Sequence, residues 1–226
     1  TPRRVRWGFC ISRLRGLLRF GLPLSGGLAA TQWEAGVSAA LIGAGRGPVV
    51  LGYYRKARAS STMAIRHLVW SVTDVLFPCM AGRDPRSPEM REGFLKVVRT
   101  VTLLTWPACV GLAAVADLFM VGVYGGKWLP AVALLRLLCV LAMLFAVQHQ
   151  LRTMLWAFGR TAQVMRISVV AMVVSWVGVW VGIQAGGVFG ATVALAVVGG
   201  AQFAAFSGCV LRMTGVAMRA YLLAFL

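Results

Sequence analysis

Long apolar runs, separated by short stretches rich in arginine, lysine and glycine, follow one another along most of the chain. A helix needs about 20 mainly apolar residues to cross a bilayer, within a range of roughly 17–25. The pattern predicts six such helices, at about 17–43, 59–81, 94–115, 128–151, 161–184 and 187–212. Backbone groups in lipid must be hydrogen-bonded within the segment, and the alternation typical of a barrel is absent. The predicted fold is therefore an all-α polytopic transmembrane bundle.

The organisation along the chain follows from the same pattern. We expect residues 1–16 to form a basic, amphipathic lead-in and residues 17–226 to form the transmembrane bundle. Two tyrosines and four basic residues in the 44–58 connection indicate an interfacial segment along the lipid headgroups. The chain starts at Thr1 and stops inside a new apolar run, "YLLAFL", the start of a seventh span. We therefore expect it to be an excerpt of a longer protein.

Composition supports a membrane protein and changes how the charge is interpreted. Of the 226 residues, 59% are hydrophobic and 13% are charged, against about 45–50% and roughly 25% in soluble domains. The formal net charge of +17 would suggest nucleic acid in a soluble protein. Here the basic residues cluster between apolar runs, where they act as topology signals and contact lipid headgroups. We therefore expect membrane lipids, and not nucleic acid, as partners.

The distribution of lysine and arginine predicts the orientation. Sixteen of these residues lie in the lead-in, after span two, between spans four and five, and after span six. Five lie in the connections that would face the other side. Because basic residues are enriched in cytoplasmic loops, we expect the amino terminus to be cytoplasmic.

Ionisable residues inside the predicted spans are the candidate functional residues. On span one, Gly27, Thr31, Glu34 and Ser38 recur at spacings of four, three and four, which places them on one helical face. A charge at mid-membrane is costly and almost always faces protein or a water-filled cavity. Glu34 therefore indicates either a polar translocation cavity or a buried carboxylate bonded to a neighbouring helix.

Span two repeats this pattern, since His67 and Asp74 share a face while Arg66 lies about a quarter-turn away. Arg136 lies about 12 Å inside span four at 1.5 Å per residue, where its side chain either lines a cavity or extends outward to the interface. Together with Glu34, these four residues are the predicted path for a substrate. The five cysteines, scattered through mostly apolar stretches, predict no metal site, cofactor or disulfide framework.

Several stretches resemble one transporter family. The resemblance is carried by the following segments: "LLRFGLPLSGG", "ALIGAGRGPVVLGYYRKARA", "VLFPCMAGRD", "YGGKWLPAVALLRLL" and "LWAFGR". In order and spacing they are similar to the Wzx-like polysaccharide and oligosaccharide flippases of the multidrug/oligosaccharidyl-lipid/polysaccharide exporter superfamily. The resemblance implies a parent with two helical lobes, of which this chain supplies most of the second, in the inner membrane of a bacterium.

The resemblance also implies a function without covalent chemistry. Such proteins move undecaprenyl-diphosphate-linked oligosaccharide to the outer leaflet by alternating access, for surface polysaccharide biosynthesis such as O-antigen or exopolysaccharide. A polysaccharide polymerase and the first lobe of the same chain are the implied protein partners. Two alternatives stay open: a drug or cation antiporter of the same superfamily, and a membrane-embedded glycan polymerase or ligase.

Overall fold

The computed structural model describes residues 11–80 and 84–225, and their side chains except at 11–17, 64 and 67–80. Within this part of the chain all regular structure is helical, which confirms the all-α prediction. The helices are α1 (Ile11–Arg46), α2 (Pro48–Met80), α3 (Pro88–Ala114), α4 (Ala116–Tyr124), α5 (Val132–Ala157), α6 (Thr161–Thr214) and α7 (Met218–Leu223), with a 3₁₀ helix at Gly126–Ala131. Residues 11–16, predicted to belong to a separate lead-in, form the first turns of α1.

The longest helical element, α6, is a hairpin of two packed arms. Its backbone leaves helical geometry at Gly186 and Gly187, and Gly187 has a φ of 64°, in the region that favours glycine. The arms then run back along each other. They pack so closely that a Cβ added at Gly182 would lie 2.6 Å from the carbonyl oxygen of Gly190. The two arms, 161–185 and 188–214, coincide closely with the predicted fifth and sixth spans.

The connection between the first two helices is much shorter than predicted. Only Gly47, with a φ of 85°, separates α1 from α2. The expected interfacial segment at 44–58 is therefore wrong, since these residues form the end of α1 and the first turns of α2. Tyr54 shows why: its ring is only 1% exposed and belongs to the helical core. Burial of this ring draws the first turns of α2 into the bundle.

Helix α5 lies at the centre of the bundle and contacts α2, α3 and α6. Its first half packs into a cluster with α2, α3 and α4, in which Leu135 is fully buried. Its second half packs with α3, the end of α6 and α7, around Leu151 and Phe206. Most of α5 is therefore buried, apart from a stripe that includes the exposed Arg136, Val140 and Phe145. A polar residue on the buried part must find a partner or a cavity inside the protein.

The outer surface of the bundle suits a lipid environment. Many large apolar side chains are exposed, among them Leu22, Trp33, Val177 and Val197, which is unusual for a soluble monomer. Within residues 11–80 and 84–225, three segments are long and apolar enough to cross a membrane: Pro88–Ala114, Gly126–Ala157 and Thr161–Thr214. In α1 and α2 the charged residues are spread along the helix instead of being confined to its ends.

Candidate functional site

A pocket lined by both polar and apolar side chains lies between α1, α2, α5 and the second arm of α6. Its volume is about 170 Å³, enough for roughly five or six waters at about 30 Å³ each. Its principal polar lining residues are Glu34, Ser38, Arg58, Gln148, Arg152 and Gln202. Two arginines and one carboxylate give this lining a net positive charge.

Arg152 is the most buried charge in the pocket. Its side chain is 7% exposed, and its Nε has no hydrogen-bond partner in the described part of the protein. The guanidinium carbon lies 5.9 Å from the ring centroids of both Phe145 and Trp156, within reach of a cation–π interaction. Helical side chains lean towards the amino terminus of their helix, so Arg152 reaches back along α5 into the pocket.

Glu34 reaches the same pocket from α1. The hydroxyl of Ser175, on the first arm of α6, donates a hydrogen bond of 2.8 Å to Oε1 of Glu34. The one ion pair within 4.0 Å among the described residues joins Arg136 and Asp117. Glu34 and Arg152 therefore share the pocket without being directly paired, and each keeps hydrogen-bonding capacity for a ligand or water.

Neutral polar groups complete the lining. Ser38 is fully buried and Gln202 is nearly so, yet Oγ of Ser38 and Nε2 of Gln202 have no partner among the described residues. Buried polar atoms left without a partner are costly and rare in native proteins. Three such atoms line this one cavity, if Nε of Arg152 is included. These three atoms are free to hydrogen-bond a polar molecule in the pocket.

The α2 wall of the pocket is also ordered by hydrogen bonds. Nη1 of Arg58 donates to the hydroxyl of the buried Tyr54 at 2.8 Å, one helical turn away. The hydroxyls of Ser61 and Thr62 donate to the backbone carbonyl of Arg58. Arg58 is exposed overall, so its remaining donors are free to serve an anion at the edge of the pocket.

The predicted path residues do not all meet in this pocket. Glu34 lines it, as do Thr31 and Ser38 of the same predicted face. Arg136 forms an exposed ion pair of 2.6 Å with Asp117, and Arg66 is exposed on α2 and does not line the pocket. The side chains of His67 and Asp74 lie outside the described part of the structure, so those two residues stay predictions.

The residues that α5 contributes are not among those predicted from the sequence. Arg152 was counted only as a basic residue between spans because it lies five positions before the end of α5. A helical-face signal was nevertheless present, since the pocket-lining positions 138, 141, 145, 148 and 152 recur at spacings of three and four. The face that contains Tyr54, Arg58 and Ser61 gives the same signal on α2.

The pocket provides guanidinium, carboxylate, amide and hydroxyl groups. Guanidinium, amide and hydroxyl groups recognise anions and hydroxyl-rich molecules through hydrogen bonds. Among the described residues, no group of three His, Cys, Asp or Glu side chains is placed to hold a metal ion. A helical membrane bundle with a buried, cationic, hydrogen-bonding pocket is typical of the transporter class.

Comparison with known proteins assigns the family. The model of a family described as "Polysaccharide biosynthesis protein" matches residues 1–133, more than half of the chain. The chain therefore belongs to this family, and its relatives agree with the polysaccharide flippase resemblance. The matched region contains Glu34, Ser38 and Arg58 but ends before Gln148 and Arg152.

Two curated relatives match a stretch of 152 residues, which is 67% of this chain. The teichuronic acid biosynthesis protein TuaB of Bacillus subtilis is 30% identical over 32% of its length. The lipopolysaccharide biosynthesis protein WzxC of Escherichia coli is 28% identical over 31% of its length. An uncharacterized membrane protein in the cps region of Klebsiella pneumoniae is 28% identical over 103 residues, 46% of this chain and 21% of that protein. The matched stretch thus spans about a third or less of each relative, and no solved structure matches the chain.

Proposed function

We propose that the protein moves undecaprenyl-diphosphate-linked oligosaccharide across the bacterial inner membrane, by alternating access, during the synthesis of a surface polysaccharide. The observation that carries this proposal is the buried Arg152, whose guanidinium faces a polar pocket without a carboxylate within 4.0 Å among the described residues. The polysaccharide biosynthesis relatives support the substrate class.

The chemistry of such a substrate suits the pocket. A lipid-linked sugar diphosphate has an anionic, hydroxyl-rich head that needs a polar path, and an apolar tail that can stay in lipid. Arg58 and Arg152 would bind the diphosphate through charge-assisted hydrogen bonds, and Gln148 and Gln202 would bind sugar hydroxyls. At about 170 Å³ the pocket holds only part of such a head. We therefore propose that a first lobe of the same protein forms the opposite wall.

Alternating access would require helices that can separate. The Ser175–Glu34 hydrogen bond joins α1 to the first arm of α6, while Glu34 also lines the pocket. Movement of α1 during transport would exchange this bond for a contact to the substrate or to water. Arg66, His67, Asp74 and Arg136 remain proposed path residues for conformations in which the helices have moved.

The net charge of the pocket disfavours the antiporter alternative. A site for a drug cation would be expected to carry an excess of carboxylates, whereas this lining has two arginines and only Glu34. We propose that the protein is a transporter and not an enzyme, and that its amino end is cytoplasmic. A polysaccharide polymerase would then use the oligosaccharide that it delivers.

Reconstitution of the full-length protein in proteoliposomes tests the function. With a fluorescent lipid-linked oligosaccharide, we expect substrate to move between leaflets without chemical change, and Arg152→Gln to slow that movement at equal protein content. Arg166→Gln, an exposed arginine on α6 that does not line the pocket, is the matched control. A chemically altered product would identify an enzyme, and uptake of cationic dyes without sugar-lipid movement would identify an antiporter.

A further inference from the structure

A second, larger cavity lies at the end of the bundle where three connections meet. Its volume is about 430 Å³, and Arg86, Arg160 and Arg212 line it together with Asp84 and Gln163. Arg86 precedes α3, Arg160 follows α5, and Arg212 lies in the last turn of α6. The sequence analysis predicted all three connections on the same side of the membrane, and the fold brings them to one end. No sequence pattern predicts that three guanidiniums surround one cavity.

The three guanidiniums are available to a ligand. All three arginines are exposed, and none has a side-chain hydrogen bond or a carboxylate within 4.0 Å in the described part of the protein. Asp84 offsets only one of the three positive charges, and its Oδ1 accepts a hydrogen bond of 2.9 Å from the backbone N–H of Arg86. The carboxylate is thus used to hold the turn that presents Arg86, and the lining keeps a positive charge.

The walls of this cavity are fixed by backbone contacts. Nε of Arg91 on α3 donates a hydrogen bond of 2.8 Å to the carbonyl of Thr214 at the end of α6, which joins two of the three connections. At the third, the N–H of Arg160 bonds to the carbonyl of Leu155 and the N–H of Gly159 to that of Trp156, the pattern of a Schellman turn. The arginines therefore project from ordered helix ends, so little backbone entropy would be lost when a ligand binds.

The geometry points to a binding site for a phosphate group in this cavity, held by Arg86, Arg160 and Arg212 and separate from the pocket that contains Arg152. Guanidiniums bind phosphate oxygens through pairs of parallel hydrogen bonds, and three of them from different elements can surround one tetrahedral anion. The phosphate could belong to the headgroup of an acidic lipid or be free in solution. This inference does not rest on the transport function proposed above.

Ligand-dependent thermal stability of the full-length protein tests this inference. The protein is placed in phosphatidylcholine nanodiscs and titrated with inorganic phosphate at constant ionic strength, and separately in nanodiscs that also contain phosphatidic acid. We expect at least one probe to raise the unfolding temperature. Arg160→Gln/Arg212→Gln should raise the probe concentration needed for the same shift about tenfold or more, since two charge-assisted contacts are lost.

The double variant Arg99→Gln/Arg166→Gln is the matched control, because it removes two exposed arginines that do not line the cavity. Arg86→Gln, in the turn before α3, is a second test that leaves the helices unchanged. A response to phosphatidic acid alone identifies a lipid headgroup, and a response to inorganic phosphate identifies the free anion. If neither probe stabilises the protein, or if the cavity and control variants respond like the wild type, the inference is wrong.

Discussion

Replacement of Arg152 by methionine tests whether this arginine binds substrate or stabilises the fold. The side chain is 7% exposed and has no carboxylate within 4.0 Å among the described residues. A structural arginine would be held by partners, and its removal would leave those partners buried and unpaired, at a cost of about 3–5 kcal/mol. Arg152 has two aromatic neighbours instead, Phe145 and Trp156, which methionine can also contact.

The expected changes in stability and transport therefore have opposite signs. A buried charge loses several kcal/mol when it leaves water, and no carboxylate lies within 4.0 Å of Arg152 among the described residues to offset this loss. Methionine removes that cost, so the unfolding temperature of Arg152→Met should be unchanged or higher. A hydrogen bond from a charged group contributes about 1.5–3 kcal/mol. If one such bond to the substrate is lost in the rate-limiting state, transport falls roughly ten- to a hundredfold.

Both quantities can be measured on the same full-length protein. Thermal unfolding in detergent gives the stability, and the amount of surface polysaccharide made by cells that depend on the variant gives transport, normalised to the protein in the membrane. Arg152→Lys should give intermediate transport, because it keeps the charge but not the planar donor pair. If Arg152→Met has lower stability and normal transport per folded molecule, Arg152 stabilises the fold and does not bind the substrate.

Three further predictions concern single residues. Ser175→Ala should lower the unfolding free energy by about 1 kcal/mol, since the half-buried Glu34 loses its hydrogen bond. Ser175→Thr, which keeps a hydroxyl, is the control. Equal stability of the two variants would contradict this role of Ser175. Gly182→Ala should cost about 1–3 kcal/mol, because the new Cβ would lie 2.6 Å from a carbonyl oxygen of the other arm of α6. Gly200→Ala, with nothing within 4 Å, should not destabilise the same helix, and similar losses would argue against the hairpin packing. Arg66→Ala should reduce transport without reducing the amount of protein inserted in the membrane. Full transport activity would show that Arg66 does not line the substrate path.

Much of the fold could be predicted because hydrophobic runs of bilayer length have few alternatives. Both arms of α6 lie within two residues of the predicted boundaries, whereas α3 begins six residues before its predicted span and α5 ends six residues after its own. The turn at Gly47 was missed because a one-residue connection leaves no polar stretch in the sequence. The tyrosines and basic residues of the first turns of α2 resemble an interfacial segment, and only packing shows that Tyr54 is buried.

The candidate site was predicted only in part, for a reason that concerns helix ends. The stripe of Thr31, Glu34 and Ser38 was visible because it lies well inside an apolar run, and all three residues line the pocket. Arg152 lies near a helix end, where a basic residue ordinarily marks topology. Its functional placement depends on the lean of the side chain along α5 and on the packing of α6 beside it, and helical periodicity alone does not reveal either.

Site-specific photo-crosslinking shows whether the anionic head of the substrate enters the pocket between α1, α2, α5 and α6. A photoreactive amino acid is placed at Gln148 or Gln202 in the pocket, or at the exposed Val177 or Val197 on the apolar surface. With lipid-linked oligosaccharide in native membranes, crosslinks to the sugar head should form from the two pocket positions and be lost with Arg152→Met. Crosslinks to the head from the two surface positions, with none from the pocket, would contradict the account.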